Sequence, residues 1–452
     1  MKLFSEAAYI SICRWWLSAI LLFLPFQHKI IKLIGPLSKE FSSFIAYIDE
    51  ITIVIFLLFT VREYYKRKEI PDKLYLILLS PIVILSIFGL ISGIVNRNSL
   101  LITSLGIFDY IKNFLVIFIF AVFFKNSESF KKTFRLVLVV AIFLGVVAFI
   151  QEFWAVYSRY ILKENINEIS YLFTQNLIPE LSWRVGIYRA PSLTHNSNIF
   201  GLYMLLILTV YLSLRKKINF VVFIPLFSGI FSSVSRMVYA GFIFIGGLHL
   251  IKYKRWIVAP LFIFIVAVFL YMAFLSDFNI WEWDLIEAKE GIPIEETGIK
   301  YVSYREYAKI KAVEIWKDHS LLGVGPGMYG GIISIKYHSP IYEKYNFQGI
   351  AMHYLKNWSG IDQHWHQILA EVGIIGVICF AWLFVSLAIM LFILKKKATT
   401  PETKGLYEGL LTYIVVILIY TFGSGLNITS VIFTYTALVG MGLGCVLLRK
   451  EN

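Results

Sequence analysis

Long apolar runs recur along the whole chain, separated by short polar connections. About twelve of them are long enough to cross a bilayer, which takes roughly 20 predominantly apolar residues in a helix. They lie near 8–26, 44–61, 74–95, 100–124, 133–153, 195–214, 218–234, 235–251, 256–275, 367–394, 407–424 and 429–448. The seventh and eighth are so closely spaced, with a turn at Ser232 to Arg236, that they read as a hairpin of short or tilted helices. Two intervals break the pattern: 154–194, polar and aromatic, and 276–366, about 90 residues without a membrane-length run. The pattern predicts an all-α polytopic integral membrane protein, one membrane domain over 1–452 with two large loops.

Inside the longer loop the period changes. Val302 to Trp316 sets Val302, Ala308, Ile310, Val313 and Ile315 among lysines and glutamates, which predicts an amphipathic helix carrying Arg305. Gly323-Val324-Gly325-Pro326-Gly327 and Gly330-Gly331 then predict turns. Trp281, Trp283, Trp316, Trp358 and Trp365 suit a loop that rests on the membrane interface, so this segment reads as a lid. No period of 20 to 50 residues recurs, and no pair of interrupted helices occupies matching positions in two halves.

Composition agrees with this reading. A hydrophobic share of 58%, charged residues at 16% and a mean hydropathy of +0.72 exceed what a globular core buries. Cys13, Cys379 and Cys445 all fall in apolar segments and read as small buried hydrophobes. Met1 to Ala7 carries no cleavable signal pattern.

The net charge of +13 is the point at which composition alone misleads. With the N-terminus in the cytoplasm, the even-numbered connections are cytoplasmic, and they hold the runs 62–73, 125–135, 215–217, 252–255, 395–404 and 449–450. Every basic cluster then lies inside, as the positive-inside rule requires, and both termini are cytoplasmic. The charge is topology signal, and no nucleic-acid partner is expected. Both large loops face outward.

Three arginines fall on that outward side: Arg189, Arg236 and Arg305. Each has a plainer reading: Arg236 as a snorkelling anchor, Arg305 as half of a surface ion pair, and the polar string around Arg189 as N-capping by Thr194, Asn196 or Asn198. Capping leaves Arg189 unexplained. Guanidinium groups suit bidentate binding of phosphate, so a cluster of three would match a pyrophosphate at the membrane surface.

Taken with the spans and the loop, four strings in this order make the chain similar to the O-antigen ligase and O-antigen polymerase superfamily of bacterial surface-polysaccharide assembly. They are Arg189-Ala190-Pro191-Ser192 with His195-Asn196-Ser197-Asn198, Gly201 and Tyr203; then Ser233-Val234-Ser235-Arg236; then Arg305 with Trp316 and the 323–327 turn; and last the loop exit, 367–376. The resemblance implies a membrane glycosyltransferase of GT-C architecture in the bacterial inner membrane. Its donor and acceptor would be undecaprenyl-diphosphate-linked oligosaccharides, with a chain-length regulator as a further partner. It would invert and use no metal ion or other cofactor. Arg189 and Arg305 would hold the diphosphate, and Arg236 would either join them or stabilise the outer helix ends. Asn196, Asn198 and Tyr329 are candidates for contacting the glycan.

The ligases place a His-Asn pair nine residues before the loop-exit glutamate, Glu371 here. This chain has Asp362-Gln363 at that position, which looks more like the polymerase branch. Asp362 is thus the first candidate for the base that takes the acceptor proton, with His353, His364 and His366 as rivals, because imidazole titrates near neutral pH. Beside tryptophans, those histidines also suit an amphipathic interface. His364 and His366, two apart, point to different sides of a helix, which argues against a paired metal site. Glu371, expected in the first turn of the tenth span, reads as structural. A ligase, a protein oligosaccharyltransferase and a lipid-linked sugar flippase are the alternatives. For the last, the polar candidates Arg14, Asp49-Glu50, Asp109 and Lys112-Asn113 lie mostly near span ends.

Overall fold

The structure, a computed structural model, describes residues 6–67, 73–157, 182–184, 187–194, 196–215, 217–253, 304–347, 350–357, 360–361, 363–426 and 429–447, with isolated positions at 263, 266 and 267. The expected span at 256–275, most of 154–194, His195, Trp281, Trp283, Trp358 and Asp362 fall outside the described residues.

Apart from one hairpin the described chain is helical. In order come α1 (Glu6–Phe23), which runs through a 3-10 turn into α2 (Gln27–Ile34), then α3 (Lys39–Ala46), α4 (Ile48–Arg67), α5 (Lys73–Val95), α6 (Leu100–Phe123) and α7 (Ser127–Tyr157). The antiparallel strands β1 (Ser182–Arg184) and β2 (Ile187–Arg189) pair Ser182 with Arg189. Next are α8 (Ser197–Leu214), α9 (Phe220–Ser232) and α10 (Arg236–Tyr253). The long loop supplies α11 (Tyr304–Asp318), α12 (Ile332–Lys336), α13 (Ile341–Lys344) and α14 (Ile350–Asn357). The chain closes with α15 (His364–Lys397), α16 (Pro401–Gly423) and α17 (Thr429–Leu447).

Among the described residues, eight helical units are long and apolar enough to cross a membrane, or nine if α3 and α4, bent by 53°, form one span. The expected hairpin of short helices is present as α9, only 13 residues long, and α10. The closest packing joins α6 to α17, α5 to α15 and α7 to α9. With lipid as apolar as the side chains, close van der Waals fit holds such pairs together.

One polar group lies deeper than the sequence suggests. Lys112 sits about three turns inside α6, and its ammonium pairs with Asp109 at 2.6 Å and with Glu50 at 2.7 Å. The charge is satisfied inside the protein, as a buried lysine requires.

The long loop has its own core. On α11, Tyr304, Tyr307, Ala308, Ala312 and Ile315 are buried, a stripe at helical spacing. Tyr329, Tyr342 and Phe347 pack against it with ring centroids 5.3–6.0 Å apart, each contact worth about 0.5–1.5 kcal/mol beyond its area.

This core is fastened to the bundle by an exchange of backbone hydrogen bonds. At Gly373 (φ 68°, ψ −164°) α15 loses helical geometry. In an unbroken helix the carbonyls of Ala370 and Glu371 would accept from the amides of Ile374 and Ile375. Instead those carbonyls accept from Val324 N (2.9 Å) and Gly325 N (2.8 Å), while the two amides donate to Ser320 O and Leu321 O. These four groups freed by the break are satisfied by the loop. A side chain at 373 would be strained by its φ and would meet Leu321 O at 2.4 Å.

Glu371 completes the joint. Its carboxylate accepts from Tyr110 OH (2.5 Å) and Tyr329 N (2.7 Å), and Gly327 N also donates to it. From the α5–α6 side, Ser92 Oγ, Asn96 Nδ2 and Asn98 Nδ2 donate to the carbonyls of Leu322, Gly323 and Val324. The structural reading of Glu371 stands, although it is the centre of a buried network and not a residue of the first helical turn.

Candidate active site

The loops at the far end of α7 from Ser127 bring the arginine strings together. Ala190 N donates to Ser232 O at 3.0 Å, tying the end of β2 to the turn between α9 and α10. Arg189 then anchors its guanidinium twice, Nε to Ser233 O (3.2 Å) and Nη2 to Asn198 Oδ1 (2.6 Å). From α7, Gln151 Nε2 donates to Ser192 O, and Ser192 Oγ donates to Leu144 O.

The Ser-Val-Ser-Arg turn is tightly constrained. Val234 is buried and held at φ 43°, a conformation costly for a β-branched residue. Tyr239 OH donates to Phe231 O at 2.6 Å and Ser233 Oγ to Ile230 O, closing the turn from both sides. Gly201 of α8 lets the turn approach, since a Cβ there would meet Ser233 Oγ at 2.6 Å. Strain of this kind is found where a backbone must present a functional group in a fixed place.

Burial is the main reason that the Arg189 pKa falls, to about 10, and the like charges of Arg236 and Arg305 push it the same way. The three guanidinium groups, from the β2 end, the start of α10 and α11, are thus within electrostatic reach of one another. Even at about 10, Arg189 stays cationic at neutral pH. Arg236 is the first residue of α10, at the positive end of the helix dipole, where an anion is favoured and a cation is not. A desolvated cation, two like charges and a helix N-terminus together make a site that gains most from a polyanion.

The glycan candidates separate. Asn198 is occupied in orienting Arg189, and Asn196 is the N-cap of α8, its Oδ1 accepting from Asn198 N at 2.7 Å. Tyr329 is completely buried with its hydroxyl on Ala308 O, so it belongs to the loop core and not to a glycan surface. Both asparagines had a capping reading in the sequence; Tyr329 had no signal separating it from a surface tyrosine.

The histidines separate too. His364 is buried against Phe380, ring centroids 4.7 Å apart, and its Nε2 has no hydrogen-bond partner among the described residues. His366 is half-buried within electrostatic reach of Glu306 and Lys309 of α11, next to Arg305 in the chain. His353 is exposed on α14. Asp362 lies between two described neighbours: Ile361 N donates to Gly330 O, and Gln363 is buried. Among the described residues no three His, Cys, Asp or Glu side chains converge as a ligand set.

Sequence reasoning missed Glu152 and Tyr239. Glu152, near the end of α7, has a buried Oε2 without a hydrogen-bond partner among the described residues. Its carboxylate and the Arg189 guanidinium both act electrostatically on the Tyr239 hydroxyl, so each lies within reach of Tyr239. A lone glutamate at the end of an apolar run was its only signal.

Fold and site together define a polytopic helical membrane protein that concentrates fixed cationic groups at one end of its bundle. Residues 220–381 match the family model described as O-antigen ligase, which supports a likeness to the O-antigen ligase/polymerase superfamily. No curated protein matches the chain. The matched stretch contains the Ser-Val-Ser-Arg turn, Arg305, the glycine turn and the break at Gly373. Arg189 and Asn198 precede it and reach it through the bond to Ser233.

Proposed function

We propose that the chain is an O-antigen polymerase. It transfers glycan from an undecaprenyl-diphosphate donor to a sugar hydroxyl of a lipid-linked acceptor on the outer face of the bacterial inner membrane. The carrying observation is the convergence of Arg189, Arg236 and Arg305, with Arg189 pre-oriented by Asn198 and Ser233.

In this reading the acceptor oxygen attacks the anomeric carbon in line with the departing diphosphate, inverting that centre. The C1–O bond breaks, and the electron pair leaves on the diphosphate. The guanidinium groups oppose the charge that develops there, each as a charge-assisted contact worth about 1.5–3 kcal/mol. The acceptor proton passes to a carboxylate. Asp362 is the assigned base, and Glu152, within electrostatic reach of Tyr239, offers a second carboxylate. The long loop, 276–366, acts as the lid over the outer helix ends, fastened at Glu371.

A ligase that moves finished glycan onto lipid A core is the second reading, favoured by the description of the matched family. A deletion strain separates the two. Loss of a polymerase leaves a single repeat unit on the acceptor, whereas loss of a ligase leaves the acceptor bare. Single units trapped on the cytoplasmic leaflet would instead identify a flippase.

A further inference from the structure

The end of α7 opposite the arginine cluster holds a cavity of about 740 Å³. The distance from Ser127 to Gln151 along the helix is about 36 Å, so the cavity lies a membrane's thickness from the proposed active site. Its polar wall carries Lys125, Lys131, Arg135, Arg215 and Lys397, with Glu402 as the one carboxylate among the lining residues. Glu402 is engaged by Lys131 at 2.5 Å. Its apolar wall is formed by Phe134, Leu138, Leu214, Leu406, Cys445 and Val446.

Helix dipoles account for only some of these cations. Arg215 caps the carbonyl end of α8, and Lys397 ends α15, both favourable positions. Lys131 and Arg135 lie in the first three turns of α7, whose N-terminus Asn126 caps at the cavity, so the dipole opposes them. Arg135 has no carboxylate partner among the described residues. The start of α16, capped by Thr400, adds a second positive helix end to the same wall. A monoanion or dianion at this wall would relieve all of these repulsions, and the apolar wall has room for a hydrocarbon chain.

We infer that this cavity binds one lipid whose phosphate headgroup is net anionic, its phosphate between Arg135, Lys131 and the α16 N-terminus and its chain along Phe134, Leu138 and Val446. Basic pockets between membrane helices recognise anionic headgroups through this combination of charge and greasy walls. An anionic bilayer phospholipid and a prenyl phosphate share that chemistry.

Native mass spectrometry of the purified full chain, stripped of lipid and offered dioleoyl phosphatidylglycerol, dioleoyl phosphatidylcholine, farnesyl phosphate or inorganic phosphate, tests the site. Phosphatidylglycerol is expected to be retained at least tenfold over phosphatidylcholine, as a single molecule. Farnesyl phosphate displacing it would show that a prenyl phosphate is accepted; no displacement would restrict the site to anionic phospholipid, still a lipid with a net anionic phosphate headgroup. Arg135→Gln with Arg215→Gln should lower retention at least tenfold, and Val446→Trp, which fills the apolar wall without touching a charge, should do the same. Equal retention of phosphatidylcholine, inorganic phosphate binding as well as the lipids, or a Val446→Trp protein that retains lipid like wild type would each overturn the inference. The readout is binding alone, so it stands or falls independently of the glycan chemistry.

Discussion

Both ends of α7 gather cations, but only one end fixes them. Near Gln151 and Glu152, Arg189 is largely withdrawn from water, bonded to Asn198 and Ser233, and pressed by two further guanidinium groups. Near Ser127, Lys131, Arg135, Arg215 and Lys397 are solvent-exposed around a cavity, and Lys131 pairs with Glu402 across a half-exposed contact. Charges held in advance, out of water, stabilise a transition state because no reorganisation is needed when the negative charge appears. Charges left on flexible stems in water can attract and retain a headgroup, but contribute little to a chemical step.

That contrast is most easily broken at the fixed end. Arg305→Lys keeps the charge but loses the planar fork, and a drop of about 100-fold or more in polymerisation is expected, the usual effect of removing one oriented donor. Long glycan chains should vanish from a gel while the protein still inserts; a normal ladder would remove the diphosphate clamp.

The joint that carries Arg305's helix should be next in effect. Glu371→Ala leaves the Tyr110 hydroxyl and the Tyr329 and Gly327 amides without their acceptor, which is expected to cost about 3 kcal/mol. Glu371→Gln retains one acceptor oxygen and should cost less. Thermal unfolding of the detergent-solubilised protein reads both, and unchanged midpoints would mean that the glycine turn holds without the carboxylate.

Two asparagines then separate orientation from capping. Asn198→Ala should slow glycan transfer about tenfold, the value of one neutral-to-charged hydrogen bond, with little change in stability. Asn196→Ala should cost about 1 kcal/mol of helix stability and leave the rate nearly unchanged. Equal loss of rate in the two would mean that Asn198 does not position Arg189. The smallest effect belongs to the opposite end, where Lys131→Ala should shift stability by under about 0.5 kcal/mol, the range of exposed ion pairs, and leave the glycan ladder intact.

Much of this was legible in the residue pattern. The helices from α5 to α8 and from α15 to α17 lie close to the apolar runs, because a chain in lipid must satisfy its backbone within each span. The basic connections after α6, α8 and α15 were expected on one side, and the structure gathers Lys125, Arg215 and Lys397 around one cavity. The arginine helix is described over Tyr304–Asp318, within the stretch its apolar pattern marked. Its buried face is set by tyrosines, which a count of aliphatic positions undervalues.

What escaped the pattern depends on partners far apart in the chain. Asn96 and Asn98, between two apolar runs, hold carbonyls more than 220 positions away. Gly373, within the loop-exit string, breaks α15 so that the loop can complete its hydrogen bonds.

Sequence alone determined that this is a polytopic membrane protein, which ends of its helices carry the cations, and which short strings bear the three arginines. Periodicity and side-chain chemistry are local properties, and lipid enforces them strictly. Only the tertiary structure decided that Arg189 is aimed by Asn198, that Tyr329 and His364 are buried, and that Glu371 and Glu152 occupy such different surroundings. Burial and hydrogen-bond partnership are set by segments that meet only when the bundle closes, so a residue's own neighbours in the chain cannot specify them.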